Sequence, residues 1–317
     1  GGGSLAAAEG IAELASRVDA PVVSSLNGKG VLPTDHPLAT SILSYTAVTD
    51  FLTDCDVILV VGSELAPSDL WFGPLRVTGK LIQIDIDPDQ IGVNHPVDLS
   101  IVGDASEAIE RLIERIGGHS DKEGSARAER LREATRSEAL IHGSPYLDWI
   151  EALRKAMPSE SALTLDVAMV AGFGAFPFFD VSAPRQWINP SGLGTLGYAM
   201  PAAVGAKLGT PSRGVVALTG DGGLMFTIAE LAAAVDLGIS LPIVVWNDRA
   251  FGEIRRLMEE RGDQPYATEL ATPNLALLAA AFGAQYASAP NPDALATAVE
   301  TALGVDVPTL IEIPAWT

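Results

Sequence analysis

At 317 residues, with 48% hydrophobic and only 19% charged side chains, the chain can bury a large apolar interior, and its length suggests about two domains. Twenty basic against forty acidic residues leave a formal charge of −20, which argues against a nonspecific polyanion binder and against nucleic acid as a partner. One cysteine, Cys55, excludes an intrachain disulfide, and no apolar run approaches the roughly 20 residues that cross a bilayer, so no membrane partner and a cytoplasmic location are expected. Because lysine and arginine are scarce, an anionic ligand would need a metal ion or backbone N–H groups to overcome the acidic field locally.

In chain order, Gly1-Gly2-Gly3-Ser4 reads either as a linker or as a glycine-rich turn. An Ala-rich periodic stretch over residues 5–18 predicts a helix. The short β-branched runs 21–25, 56–61 and 80–86 predict buried parallel strands. Gly103-Asp104 closes a further strand, and 105–116 reads as the helix after it, which completes an α/β domain of residues 1–117. Residues 118–143, beginning Gly118-His119-Ser120-Asp121-Lys122-Glu123 and continuing as a charged helix, read as the connection between domains. From 144 to 317 the alternation resumes, with strands expected at 162–165, 215–218, 243–246 and 309–313 and helices such as 200–208 and 228–237. That pattern predicts a second open parallel sheet with helices on both faces, whose ligands sit beyond the carboxyl ends of its strands.

Two such ends carry polar signals. The strand ending at Leu218 runs into Thr219-Gly220-Asp221-Gly222-Gly223, ahead of a helix expected over 224–237. A carboxylate is thereby placed at a strand tip among glycines, where the backbone can approach a ligand and an acid can hold magnesium against a diphosphate. The next strand ends at Asn247-Asp248-Arg249-Ala250, with Asp248 27 positions after Asp221, so two neighbouring tips are expected to reach one ion. Asp85 and Asp87 read either as a nucleotide contact or, more simply, as strand-ending acids before Pro88. The histidines His36, His95, His119 and His142 are scattered and suggest neither a zinc site nor a catalytic dyad.

Gly220-Asp221-Gly222, followed about two dozen residues later by an Asn-bearing strand end, resembles the signature of thiamine-diphosphate enzymes of the acetolactate synthase, benzoylformate decarboxylase and pyruvate decarboxylase group. The run 189–203, Asn-Pro-Ser-Gly-Leu-Gly-Thr-Leu-Gly-Tyr-Ala-Met-Pro-Ala-Ala, resembles that family's cofactor loop, and 81–88 its Rossmann-like central domain, so the resemblance covers essentially the whole chain. It implies thiamine diphosphate and Mg2+, with Asp221, Asp248 and the Ala250 carbonyl as metal ligands in an oxygen octahedron. Gly194, Thr195, Leu196, Gly220, Asp221, Gly222, Gly223, Asp248, Ala250, Phe251 and Gly252 would line the cofactor. Leu196 would be the apolar wedge that bends it, and the Gly194 carbonyl would accept a hydrogen bond from its aminopyrimidine, bringing that group near the reactive thiazolium carbon. The cofactor would act as the electron sink in decarboxylation of a small 2-oxo acid or in carboligation, within a homo-oligomer.

The sequence departs from the family pattern at two places. Its usual Asn-Asn pair is here Asn247-Asp248, which sets a second carboxylate beside the diphosphate, with Arg249 either compensating that charge or facing solvent. The pyrimidine-binding domain, whose glutamate activates the ring, is not represented in these 317 residues, so the chain alone is expected to bind cofactor weakly and turn over almost nothing. Ile254 stands where pyruvate decarboxylases place an acid, which disfavours that subclass. Residues 62–69 lack the glycine and arginine segments of flavin-binding relatives, which argues against FAD. Glu253 reads as a substrate contact or simply as a first-turn acid. Two rivals stand beside this reading: an NAD-dependent dehydrogenase using Gly192, Gly194 and Gly197, and a noncatalytic module derived from a thiamine enzyme.

Overall fold

The structure is a computed structural model and describes residues 1–71, 75–118 and 122–315. Of the expected connection, His119, Ser120 and Asp121 lie outside the described residues. The chain forms two compact units, one of residues 1–142 with 180–187 and one of 143–179 with 188–317.

In the first unit, the expected opening helix begins as a 3-10 turn, Gly2–Ala7, and continues as α1 (Ala8–Val18). β1 (Val22–Ser24) pairs in parallel with β2 (Ala39–Ile42), a strand too short and too polar for the sequence to announce. After α2 (Thr46–Thr53), the strands β3 (Val57–Val61), β4 (Lys80–Asp85) and β5 (Leu99–Val102) form a parallel sheet in that order, followed by α3 (Ala105–Arg115). Ile11, Leu14 and Ala15 of α1 pack with Ile84 of β4 and Ile109 of α3. Gly10 lets the two helices close, since a methyl group there would come within 2.9 Å of Ile109 Cγ2. The charged helix α4 (Gly124–Gly143) is docked on this unit: Glu138 accepts the Thr46 and Ala47 amides at 2.9 and 3.1 Å, capping α2, and Arg132 donates to the Ala39 carbonyl at 2.6 Å.

In the second unit, α5 (Leu147–Ala156) leads into β6 (Ala162–Leu165), a π-helical turn (Val170–Ala175) and the short α6 (Phe176–Phe178); β7 (Trp187–Ile188) begins at the last residue of the first unit's second segment. There follow α7 (Ala199–Gly209), β8 (Val215–Gly220), α8 (Asp221–Phe226), α9 (Glu230–Asp236) and β9 (Leu241–Asn247). The chain ends with α10 (Gly252–Glu260), α11 (Leu275–Phe282), β10 (Gln285–Ser288), α12 (Pro292–Leu303) and β11 (Pro308–Pro314). The strands form one sheet in the order β10-β11-β9-β8-β6-β7, with parallel pairing from β10 through β6. Val215 and Ala217 of β8 pack against α7, α9 and α11, while Val216 and Leu218, pointing to the other face, are equally buried. Continuous apolar sequence is therefore the signature of a strand covered on both sides.

One expected element differs. The helix predicted over 224–237 is two helices, α8 and α9, interrupted at Thr227, whose hydroxyl donates to the Gly197 carbonyl at 2.8 Å. A β-branched residue with a tertiary acceptor thus outweighs the local helical pattern.

Candidate functional site at the carboxyl ends of β6, β8 and β9

Register brings the two predicted tips side by side. Gly220 of β8 lies opposite Trp246 of β9, so Asp221 and Asn247-Asp248 leave adjacent strands at the same level. Asp221 is 2% exposed, yet its surroundings are polar: Thr272 Oγ1 donates to Oδ2, and the Gly222 and Arg249 amides face the carboxylate. Burial pushes this carboxyl up and those donors hold it back. Asp248 is half-buried, and its Oδ1 accepts the Ala250 amide at 3.2 Å. Its carboxyl is pushed up first by burial and next by the charge of Asp221, which places the two acids within electrostatic reach of each other.

The loop after β9 is held rigidly. Asn247, 2% exposed, donates from Nδ2 to Glu312 Oε1 at 2.7 Å, and Glu312 Oε2 accepts the Tyr286 hydroxyl at 2.6 Å. Arg249 is exposed with φ 54°, a left-handed conformation unusual for a side chain with a Cβ. Ala250 bridges Glu269 in antiparallel fashion through the Phe251 amide and the Arg249 carbonyl, which leaves the Ala250 carbonyl outside the bridge. Gly252 follows, where a methyl group would lie 2.7 Å from Asp248 Oδ2 and 2.8 Å from Met169 Sδ. Tyr146, its ring edge-on to Trp246 at 5.0 Å, has its hydroxyl pushed up to about 12 by burial, then by the charges of Asp248 and Glu253.

The glycines flanking Asp221 make room for the protein's own atoms. At Gly222 a methyl group would meet the Phe251 ring at 2.8 Å, and at Gly223 it would meet Asp166 Oδ2 at 3.0 Å. In the 189–197 loop, Gly192, Gly194 and Gly197 have φ of 102°, 62° and 85°. Gly194, whose amide bonds to the Pro190 carbonyl at 3.0 Å, is exposed together with Thr195, and Leu196 is half-buried. Glu253, considered for substrate, is engaged: both its carboxylate oxygens accept from Arg256, at 2.7 and 2.9 Å.

Sequence reading missed Asp166, Thr272 and Glu312, whose bonds to Gly197, Thr219, Asp221 and Asn247 span 31 to 65 residues and leave no local trace. The dinucleotide reading of Gly192, Gly194 and Gly197 does not fit the sheet. The fingerprint needs its acid on the strand beside the one entering the glycine turn, whereas β6 lies between β7 and β8. Among the described residues, no group of three or more His, Cys, Asp or Glu side chains is placed to hold a metal, and no helix is long and apolar enough to cross a membrane. An ion here would therefore draw on two carboxylates and backbone oxygen.

Two family models match the chain: the thiamine pyrophosphate enzyme central domain over residues 1–112, and the thiamine pyrophosphate enzyme C-terminal TPP binding domain over 170–313. Similar curated proteins include the probable 2-ketoarginine decarboxylase AruI of Pseudomonas aeruginosa, 35% identical across 99% of this chain and 56% of its own length. The probable acetolactate synthase large subunit of Methanocaldococcus jannaschii is 30% identical, again across 99% of this chain and 56% of the relative. The crystal structure of benzoylformate decarboxylase from Polynucleobacter necessarius shares the fold, with a TM-score of 0.79 at 22% identity over 98% of this chain and 59% of that one. The chain thus spans a little over half the length of the curated relatives it matches.

Proposed function

The chain belongs to the thiamine pyrophosphate enzymes, and from that premise we propose that its protein is a thiamine-diphosphate- and Mg2+-dependent 2-oxo acid decarboxylase, with carboligation as the other fate of the same chemistry. The observation that carries this reading is the pairing of Gly220 with Trp246, which sets Asp221 and Asp248 on neighbouring tips within reach of each other's charge. The donor set fits a hard divalent ion. Asp221 and Asp248 bring two carboxylates whose other partners are Thr272 and backbone amides, and the Ala250 carbonyl stands outside its bridge. A cation between the two acids would also relieve the repulsion that lifts Asp248.

When bound, thiamine diphosphate supplies an electron sink for the pair released as a 2-oxo acid loses carbon dioxide. Asp221, Asp248 and the Ala250 carbonyl would hold the ion that neutralises its diphosphate. The Gly194 carbonyl, in an exposed loop, would accept from the aminopyrimidine, and Leu196 two residues on, half-buried, would offer an apolar contact. Gly222 lets the Phe251 ring pack the two acid-bearing loops together, while Gly223 makes room for Asp166 and Gly252 for Asp248 and Met169. The relatives named for a 2-ketoarginine decarboxylase and an acetolactate synthase support a small 2-oxo acid as substrate. Family resemblance supports a homo-oligomer in the cytoplasm, with the ring-activating glutamate supplied by a pyrimidine-binding domain.

Thermal-shift titration of the protein as its gene encodes it tests this reading. Stabilisation by thiamine diphosphate that requires Mg2+, together with carbon dioxide release from 2-oxo acids, is expected. Stabilisation by NAD without metal, and none by thiamine diphosphate, would refute it.

A further inference from the structure

We propose that Asp166 is a positioning residue for the cofactor, its buried carboxylate locking the 189–197 loop onto the tip of β8; this rests on the cofactor assignment above. Asp166 follows β6 directly and is 1% exposed. Its Oδ1 accepts the Val167 amide at 2.8 Å, both oxygens lie 3.0 Å from the Gly197 amide, and Thr219 Oγ1 reaches Oδ2 at 3.2 Å. These partners are neutral amides and a hydroxyl, and among the described residues no ion pair reaches this desolvated carboxyl, an arrangement costly unless its geometry is used. Gly223 leaves the room, because a methyl group there would lie 3.0 Å from the Asp166 carboxyl carbon.

What the carboxylate joins gives the bonds their meaning. Gly197 comes one residue after Leu196 and three after Gly194, the two positions assigned to the pyrimidine side of the cofactor. Thr219 comes two residues before Asp221, assigned to the metal and diphosphate. One buried side chain therefore sets the distance between the loop that would shape one end of the cofactor and the strand tip that would bind the other. Thr227 ties the same joint from the other side, its hydroxyl donating to the Gly197 carbonyl. Second-layer hydrogen bonds of this type commonly change affinity about 10- to 100-fold when removed.

The test is Asp166→Asn in the gene-encoded protein, with thiamine diphosphate affinity followed by tryptophan fluorescence at saturating Mg2+ and the melting temperature followed without cofactor. Asparagine offers one acceptor oxygen where two are used, and turns a donor toward the Gly197 amide or the Thr219 hydroxyl. The apparent Kd is expected to rise about tenfold. A folded variant with lowered melting temperature but unchanged Kd would reduce Asp166 to a fold-holding residue and overturn the proposal. Should Asp166→Asn not fold, Thr219→Val removes one donor and is expected to weaken binding about threefold, with Thr219→Ser restoring it; a Val variant that binds as tightly as the parent overturns the proposal too. A parent protein that binds no thiamine diphosphate would overturn the cofactor assignment and this inference with it, whereas a tight-binding parent matched by its variant overturns the positioning role alone.

Discussion

At Asp248 a carboxylate stands where the family's usual pair would place a second asparagine, and it does so beside another buried acid. Its carboxyl is raised by burial and by Asp221, and Asp221 is itself raised by burial. A raised acid binds its proton more tightly folded than unfolded, so its ligand-free stability is greatest below the unfolded value near 3.9 and falls as pH climbs through the raised range. A divalent ion needs both groups deprotonated. The stabilisation by Mg2+ with thiamine diphosphate is therefore expected to shrink as pH is lowered from neutrality into the raised range of the two carboxyls. Asp248→Asn, which removes the repulsion, should raise the ligand-free melting temperature by on the order of 2 °C and flatten that pH dependence. Melting curves of both proteins with and without ligand check this, and a variant less stable than its parent would show that Asp248 is held by partners rather than strained by Asp221. The placement of Asp221 and Asp248 on neighbouring strand tips was legible because each ends an apolar strand run with an acid in a glycine- or asparagine-marked turn. Asp166 and Glu312 were not, since what makes them useful are partners 31 and 65 residues away along the chain.

Among the elements, the strands were read within a residue or two wherever a β-branched apolar run is buried on both faces, as in β6, β8, β9 and β11. β10 escaped, because Gln285-Tyr286-Ala287-Ser288 is an edge strand with three of its four residues exposed, and so did the π-helical turn, which has no periodic signature. The break between α8 and α9 escaped for a related reason: it is decided by the loop from Gly197, and local propensity carries no information about that loop. The same joint gives a stability contrast between two glycines of similar sequence setting. Gly197 has φ 85°, and a methyl group there would come within 2.9 Å of Phe226 Cβ and Thr227 Cγ2. Gly205, inside α7, is exposed and has open space around its missing Cβ. Gly197→Ala is expected to destabilise by about 2 kcal/mol or more, whereas Gly205→Ala should stabilise by about 0.5–1 kcal/mol. Urea unfolding of the pair measures both, and a harmless alanine at 197 would mean that the loop relaxes away from α8.

Over the whole molecule the dominant fact is charge: twenty more acids than bases. Length and the alternation of strand and helix signals were enough to announce two α/β units, yet the placement of α4 on the first unit was hidden, because a charged helix reads as solvated until its buried stripe of Ala128, Leu131, Thr135 and Ala139 is seen. The charge has a functional consequence that no single residue carries. An acidic field concentrates cations near the surface and repels a bare diphosphate, so under the proposed function the anion would be taken as a complex with its ion. Screening weakens the attraction for the ion, since the Debye length contracts from about 30 Å at 0.01 M salt to about 10 Å at 0.1 M. At saturating thiamine diphosphate, the apparent affinity for Mg2+ is therefore expected to fall several-fold as KCl is raised from about 0.01 to about 0.1 M. Ligand-free stability should rise slightly over the same range as self-repulsion is damped. The Asp248→Asn variant separates the local contribution from the general one: its salt dependence keeps most of the slope if the field of the whole chain attracts the ion, and loses most of it if the two carboxylates act alone. A parent protein whose Mg2+ affinity does not change with salt would show that the acidic excess lies too far from the tips of β8 and β9 to act on the ion.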